Sequence, residues 1–390
     1  MIPKYDIHPN RRCAPYVHAL LRLGRLDSLV QYSKMLVSAV PQHLQCPRTR
    51  SARLPDRFRP PYPSYSVRFS ENASELVVAI IGAQYKTASD VDGEARSTLS
   101  IFLESPASPP SFFEWASVTD NQEYYNLTAL AYWPNKGAYD TWSSQSGFQD
   151  WWLSLDPKLC RHGWFLEVFF PPVTRFETLF NTTNTPEGSA HMGQCMSDEV
   201  QEHGYWGSMR DRLPASQTDE LVGDTVAADD FRGASQAKAA RVVVPGKNNL
   251  AVIRSGQDWL DTTPDERKLY LETMHPVLLK GMDFLRDKGK EVGCHSCRFM
   301  EIVDPVSLKA DRDRTFGLAY FDDLSSLERW CKEHPTHLAI FGGFHQYARR
   351  LQNNVSLRVF HEVMVLEPEQ QRFEYIACHP GTGMLMTYRG

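Results

Sequence analysis

The sequence predicts an α+β fold in which two ferredoxin-like repeats form an antiparallel β-barrel-like core flanked by helices, of the dimeric α+β barrel type. The first observation is internal similarity: residues 127–142 resemble 316–330, and residues 165–180 resemble 360–376. The second is that each copy reads as a strand, a helix and then a two-stranded segment. An antiparallel hairpin expected at 241–255 would lie between the copies. This pattern is typical of ferredoxin-like modules joined through their sheets.

The chain divides into three predicted parts. Residues 1–42 carry apolar residues at helical spacing and are expected to form a helical N-terminal extension. The proline- and arginine-rich stretch 46–65 should be irregular, because proline neither donates to a strand ladder nor continues a helix. We expect residues 43–260 to hold the first repeat and the connecting hairpin, and residues 261–390 to hold a linker helix and the second repeat.

Local signals define single elements within these parts. Residues 75–85 form a short segment rich in apolar and β-branched side chains, and they are expected to form a buried strand. The linker helix has a strong start, with Thr263 as N-cap, Pro264 at the first helical position and Glu266 three residues after the cap. Gly289 lies near its expected end.

Composition excludes several classes of protein. The 390 residues are 42% hydrophobic and 12% aromatic, enough for a sizeable core. A net charge of -5 without a long basic run makes nucleic acid an unexpected partner. No apolar run reaches membrane-spanning length, no secretion signal is recognised, and eight cysteines are too sparse for a disulfide scaffold. We therefore expect a globular cytoplasmic protein that does not bind a membrane.

A lone histidine in an apolar strand is the first candidate functional residue. Strict alternation over residues 355–365 places His361 on a face otherwise made of valine and leucine. The matching position of the first repeat is Leu166, so the fold accepts an aliphatic side chain there. This comparison favours a functional histidine, and a structural core histidine remains the alternative.

A second candidate lies near a helix start. His337 is followed by Phe341 and Phe344 on nearby faces of the predicted helix. Such a histidine suits an axial haem ligand, because the iron needs a neutral imidazole nitrogen and the porphyrin needs apolar walls. A capping or surface histidine fits the spacing equally well. Of its neighbours, His334 is expected at a helix–helix junction and His345 at the outer surface or the haem periphery.

The C-x-x-C sequence formed by Cys294 and Cys297 could bind zinc, perform redox chemistry or attach a c-type haem. A structural zinc site needs a second pair of ligands, and haem attachment needs a histidine directly after the second cysteine, where this chain has Arg298. We therefore interpret the two residues as ordinary thiols in a strand.

Three further polar residues are ambiguous when taken alone. Arg212 and Ser255 lie in polar stretches rich in glycine and aromatic residues, where most side chains belong to turns and surface ion pairs. Glu177 lies in a predicted strand, where an edge or solvent-facing carboxylate is the ordinary interpretation.

Together, several ordered motifs resemble the aldoxime dehydratases, haem enzymes that convert aldoximes to nitriles. The resemblance runs from about residue 43 to the C-terminus, and residues 1–42 have no recognised counterpart. It is carried by HGYWGSMRDRLP, LAVIRSGQDW, GMDFLRD, HPTHLAIF, HEV and EYIACHPGTGML.

The resemblance implies a role for each candidate residue. His337 would be the proximal ligand of haem b, which is ferrous in the active enzyme, and His361 would be the distal catalytic histidine. Arg212 and Ser255 would be the distal arginine and serine, and Glu177 would correspond to a glutamate of the distal site. The substrate nitrogen would bind the iron, and His361 would act as general acid in cleavage of the N–O bond.

The same resemblance implies a small-molecule aldoxime substrate and a homodimer. One departure from the family is a few extra residues at 349–356, between His337 and His361. They affect how the strand that carries His361 approaches the haem. Two alternatives remain: a noncatalytic haem-binding sensor on the same scaffold, and a haem peroxidase-like enzyme, which needs a similar distal histidine and arginine.

Overall fold

The computed structural model describes residues 36–224, 240–304 and 307–388. The helical extension predicted for residues 1–42 lies outside the described residues up to position 35. Among the described residues, none of the helices is both long and apolar enough to cross a membrane.

The first repeat is a complete β-α-β-β-α-β unit. The predicted buried strand at 75–85 is confirmed, and its residues 77–85 are all buried. The elements up to the end of this unit are β1 (Val67–Arg68), β2 (Val77–Tyr85), α1 (Glu94–Leu103), β3 (Phe112–Thr119), β4 (Tyr125–Trp133), α2 (Lys136–Gln145), α3 (Phe148–Ser154) and β5 (Gly163–Phe169).

The connection between the repeats and the second repeat contain the remaining elements. The connection holds β6 (Phe176–Phe180), β7 (Cys195–Met196), α4 (Ser208–Arg212) and β8 (Arg241–Val244). The second unit consists of β9 (Leu250–Asp258), α5 (Pro264–Leu269), a π-helical turn (Tyr270–Met274), α6 (His275–Lys288), β10 (Cys294–Val303), β11 (Ala310–Phe321), α7 (Leu324–Glu333), α8 (Pro335–Arg350) and β12 (Arg358–Leu366), and β13 (Gln371–Ile376) follows it.

Within the described residues, eleven strands form one antiparallel sheet in the order β6-β12-β9-β11-β10-β3-β4-β2-β5-β13-β8. Each unit has the ferredoxin-like strand order, and the two join where β10 pairs with β3. The strand that follows each unit crosses to the other unit, since β6 pairs with β12 and β13 pairs with β5. The predicted pair of ferredoxin-like repeats is therefore confirmed.

The hairpin expected at 241–255 is wrong in its pairing. Both strands exist, but β8 pairs with β13, whereas β9 pairs with β11 and β12. The connector between them carries the chain from the outer edge of one unit to the centre of the other. Local alternation predicted the strands correctly, and the tertiary arrangement decided their partners.

Matching buried polar groups tie the two halves together across the inner face of the sheet. The Tyr132 hydroxyl of the first repeat donates to Glu362 of the second, at 2.7 Å. In the mirrored arrangement, the Tyr320 hydroxyl of the second repeat donates to Glu167 of the first. The repeated residues thus exchange partners between units, and these contacts hold the sheet in its curled, barrel-like shape.

The outer faces of the two repeats differ in what fills them. Under α1–α3 of the first repeat, Trp133, Trp142 and Trp152 are almost fully buried, and Leu166 is completely buried. The second repeat instead leaves a cavity between its sheet and a helical layer made of the π-helical turn, α6, α7 and α8. The position of Leu166 is taken there by His361.

Candidate active site

The cavity of the second repeat has a volume of about 340 Å³, within the range of small-molecule sites. One wall is the sheet face of β6, β12, β9 and β11, and the opposite wall is formed by helices. Its apolar lining includes Leu179, Ile253, Met274, Leu278, Met282, Ile340, Phe341, Phe344 and Val359.

His337 projects into this cavity from the first turn of α8. Its Nδ1 atom lies 2.8 Å from the carbonyl oxygen of Cys331, in the last turn of α7. A carbonyl only accepts hydrogen bonds, so Nδ1 carries the proton and Nε2 is left with its lone pair. Burial lowers the pKa of His337 to about 4, which keeps the ring neutral. The side chain is thus prepared to ligate a metal through Nε2.

The junction of α7 and α8 fixes this geometry. His334 is the N-cap of α8, and its side chain accepts a hydrogen bond from the Thr336 amide. Its ring also stacks on Phe284, with ring centroids 3.9 Å apart. The predicted junction role of His334 is confirmed, and His345 packs against the cavity-lining ring of Phe341.

His361 faces the cavity from β12 on the opposite wall. In the sheet register it lies beside Ser255 of β9 and Leu179 of β6, both of which also line the cavity. Its Nε2 atom is 2.8 Å from Nη2 of Arg212 and 3.1 Å from Oε1 of Glu177. A neutral Nε2 accepts from the guanidinium, and a protonated Nε2 donates to the carboxylate. The site can therefore hold the ring in either protonation state.

Arg212 and Glu177 form a buried bidentate pair behind this histidine. Nε of Arg212 donates to Oε2 of Glu177 at 2.6 Å, and Nη2 donates to Oε1 at 3.1 Å. The remaining Nη1 donates to the Glu202 carbonyl. Burial alone would raise the pKa of Glu177, but the charges of Arg212 and His361 outweigh it and hold that pKa below its usual value. The solvent-facing alternative for Glu177 is wrong, because the residue is only 3% exposed.

Replacing Glu177 with glutamine should destabilise the fold, because Arg212 would keep a buried charge without its counter-ion. The expected loss in the free energy of unfolding at pH 7 is about 3–5 kcal/mol. Since the folded-state pKa of Glu177 is depressed, its contribution is fully present above the ordinary value of 4.5 and declines as the pH falls below it.

Denaturant unfolding of both proteins at pH 7 and at more acidic pH measures this effect. Glu301→Gln is the matched control, since that strand carboxylate is exposed and should change stability by less than about 0.5 kcal/mol. Equal stability of wild type and Glu177→Gln at pH 7 would contradict the prediction.

A buried carboxylate anchors the start of β12 after residues 349–356. Oε1 of Glu266 accepts hydrogen bonds from the Tyr347 hydroxyl at 2.8 Å and from the amides of Ser356 and Leu357 at 2.8 and 2.9 Å. Glu266 thereby connects α5, α8 and the beginning of β12. The connection from α8 to β12 thereby delivers His361 in register with Ser255.

The remaining sequence interpretations have clear outcomes. Cys294 and Cys297 are free buried thiols, and burial raises the pKa of both, as expected for ordinary strand cysteines. No cluster of three or more His, Cys, Asp or Glu side chains that could hold a metal ion occurs in the described part of the chain. The sequence did not reveal that Tyr62 and Tyr270 line the cavity.

The two walls define a class of protein. A neutral imidazole with a free Nε2 faces a histidine–arginine–glutamate cluster across an apolar cavity, an arrangement that fits a haem ligated by one histidine. The walls beside His337 are aromatic, with the Trp330 ring centroid 4.7 Å from its own. The site is thus that of a haem-binding α+β barrel with an ionisable distal group.

Comparison with known proteins gives the family. The haem-containing dehydratase model matches residues 79–384, and the chain belongs to that family. It is 39% identical to an aliphatic aldoxime dehydratase of Pseudomonas chlororaphis, over 89% of this chain and 97% of the relative. It is 29% identical to a phenylacetaldoxime dehydratase of Bacillus sp. (strain OxB-1), over 85% and 93%. A crystal structure of an aldoxime dehydratase with butyraldoxime superposes with a TM-score of 0.82 at 37% identity, covering 92% of this chain and 98% of that one.

Proposed function

We propose that this protein dehydrates aldoximes to nitriles, with a ferrous haem b held by His337 and with His361 as general acid. The observation that carries the proposal is the convergence of Arg212 and Glu177 on Nε2 of His361, on the wall opposite His337. The names of its aldoxime dehydratase relatives, including the one solved with butyraldoxime, support this substrate class.

The proposed reaction needs a proton at the oxime hydroxyl. When bound, ferrous haem supplies an electron-rich metal centre for the oxime nitrogen. Hydroxide is a poor leaving group, so the oxygen must leave as water, and the Nε2 proton of His361 is available for transfer. Proton transfer of this kind typically contributes about 10²- to 10⁴-fold. Ser255, beside His361 in the sheet, is suited to orient the departing oxygen by a hydrogen bond.

Arg212 and Glu177 allow His361 to give a proton and take one back. Glu177 accepts from the protonated ring, and Arg212 donates to Nε2 once the proton has left. When Nη2 of Arg212 turns its hydrogen bond to Oε1 of Glu177, the lone pair of the neutral Nε2 is free to remove the proton from the oxime carbon as the nitrile forms. One aldoxime therefore yields one nitrile and one water, and the histidine returns to its starting state. The apolar lining keeps bulk water from competing for the proton.

Two further parts of the proposal concern the assembly of the protein and its location in the cell. We infer that the protein works as a homodimer and that it acts in the cytoplasm.

An anaerobic assay of the ferrous holoprotein tests the proposed function. Phenylacetaldoxime and butyraldoxime are offered separately, and nitrile is measured by chromatography; at least one should be converted. Haem binding without nitrile from either substrate would favour the sensor alternative. Rapid consumption of hydrogen peroxide with inert aldoximes would favour the peroxidase-like alternative.

A further inference from the structure

The cavity has an open end and a closed end. At the open end, Trp206 is 39% exposed. At the other end, Tyr270, Met274 and Leu357 line the cavity and are 2%, 6% and 1% exposed. β9 leads from Ser255, which lines the cavity beside His361, to Trp259, whose ring centroid lies 5.1 Å from that of Tyr270, so a substituent on a substrate held at Ser255 can extend along the strand towards Tyr270.

Three neighbouring polar groups, of which only the Tyr270 hydroxyl belongs to a cavity-lining residue, have no hydrogen-bond partner among the described residues. They are the Tyr270 hydroxyl, Nε1 of Trp259 and Nδ1 of His275. The Tyr270 ring centroid lies 5.1 Å from that of Trp259 and 5.8 Å from that of His275, yet none of the three groups bonds to another. Buried polar groups in native proteins are nearly always paired, so one such cluster beside a ligand cavity points to a ligand.

Local backbone structure brings Tyr270 and Met274 to the cavity. Residues 270–274 form a π-helical turn, and Pro276 follows it. Proline cannot donate to the residue four positions earlier, and its ring clashes with that carbonyl, which favours a widened turn. Such turns occur often at functional sites. The otherwise regular linker helix is thus altered at the point where it meets the cavity.

The chemistry of this closed end is that of a hydrogen-bond donor in an apolar wall. Burial raises the pKa of the Tyr270 hydroxyl, so it stays protonated, and the indole of Trp259 is always a donor. The side chains of Met274, Leu357 and Val359, which belong to the same apolar cluster, provide no oxygen or nitrogen acceptor. The complementary group is therefore an uncharged oxygen acceptor on an otherwise apolar chain.

We propose that the closed end is a substrate subsite in which the Tyr270 hydroxyl donates a hydrogen bond to an ether, hydroxyl or carbonyl oxygen on the tail of the aldoxime. This inference rests on the proposed function and names its substrate class more closely. A site that hydrogen-bonds a substrate group disfavours the analogue without it, because the buried donor is then left unpaired.

The test uses matched pairs of aldoximes, an all-carbon chain and the same chain with one methylene replaced by an ether oxygen at successive positions. In wild-type holoprotein, kcat/KM for nitrile formation should be higher for the ether at one position than for its all-carbon partner. Tyr270→Phe should lower kcat/KM for that ether about 3- to 10-fold, the effect of one neutral hydrogen bond, and should not lower it for the all-carbon partner.

Tyr347→Phe is the control, because its hydroxyl bonds Glu266 and the residue does not line the cavity. It should affect both members of a pair equally. If Tyr270→Phe also changes both members by one factor at every ether position, the hydroxyl holds only a water and the proposal is overturned.

Failure of the proposed function gives a different result, since wild type would then form nitrile from neither member of any pair. In that case the subsite is tested by Soret titration of the same pairs against wild-type and Tyr270→Phe holoprotein. The compared quantity is the ratio of the dissociation constant of the ether to that of its all-carbon partner. If this ratio is the same in wild type and Tyr270→Phe, the subsite is overturned. If wild type prefers the ether and Tyr270→Phe does not, the subsite is supported.

Discussion

His337→Ala should yield a folded protein that retains little or no haem and forms no detectable nitrile. The side chain supplies the proposed iron ligand. Among the described residues that line the cavity, the only other histidine is His361, which lies on the opposite wall. Its Nδ1 hydrogen bond to Cys331 fixes the tautomer with a free Nε2, so alanine removes both the ligand and its orientation. The Soret absorbance per mole of protein after haem supplementation measures the result.

His345→Ala is the matched control for this variant. It lies two turns further along α8, it is partly buried, and it is not among the residues that line the cavity. It should keep a normal Soret band and activity. Added imidazole should partly restore haem binding to His337→Ala by filling the place of the missing ring. A His337→Ala protein with full haem content and activity would show that another group ligates the iron.

The fold could be predicted largely because the chain repeats itself. Matched segments in β4 with β11 and in β5 with β12 identified the third and fourth strands of both units. The exchange of β6 and β13 between units could not be predicted, because those strands have alternating patterns that fit any neighbouring edge. Pairing of β8 with β13 is a similar case, since proximity in sequence favoured β9.

The candidate site shows the same division between local pattern and tertiary contact. His361 was identifiable because alternation gives its face and the first repeat gives Leu166 for comparison. The pairing of Arg212 with Glu177 joins a short helix to a strand 35 residues earlier, which no periodicity encodes. Tyr62 belongs to a stretch predicted to be irregular, and Tyr270 to the predicted linker helix, so neither pattern indicated a cavity wall.

Replacing His361 with leucine should lower kcat for nitrile formation by about 10²- to 10⁴-fold while haem binding is retained. Leucine is the informative choice because the first repeat already carries Leu166, completely buried, at the matching position. The bidentate pair of Arg212 and Glu177 does not depend on the imidazole, so both charges stay paired in the variant. The expected loss is therefore one of proton transfer and not of folding.

Single-turnover kinetics with the ferrous holoproteins distinguishes a loss of proton transfer from a loss of folding. His162→Leu is the matched control, because that histidine is also largely buried but packs against Tyr85 and Trp164 in the first repeat, away from the cavity. It should leave kcat unchanged. In His361→Leu the aldoxime should still shift the Soret band on binding, and the subsequent step to nitrile should become slow. Undiminished turnover by this variant would mean that the proton comes from another donor, and Arg212 and Ser255, which also line the cavity, would then be the groups to replace next.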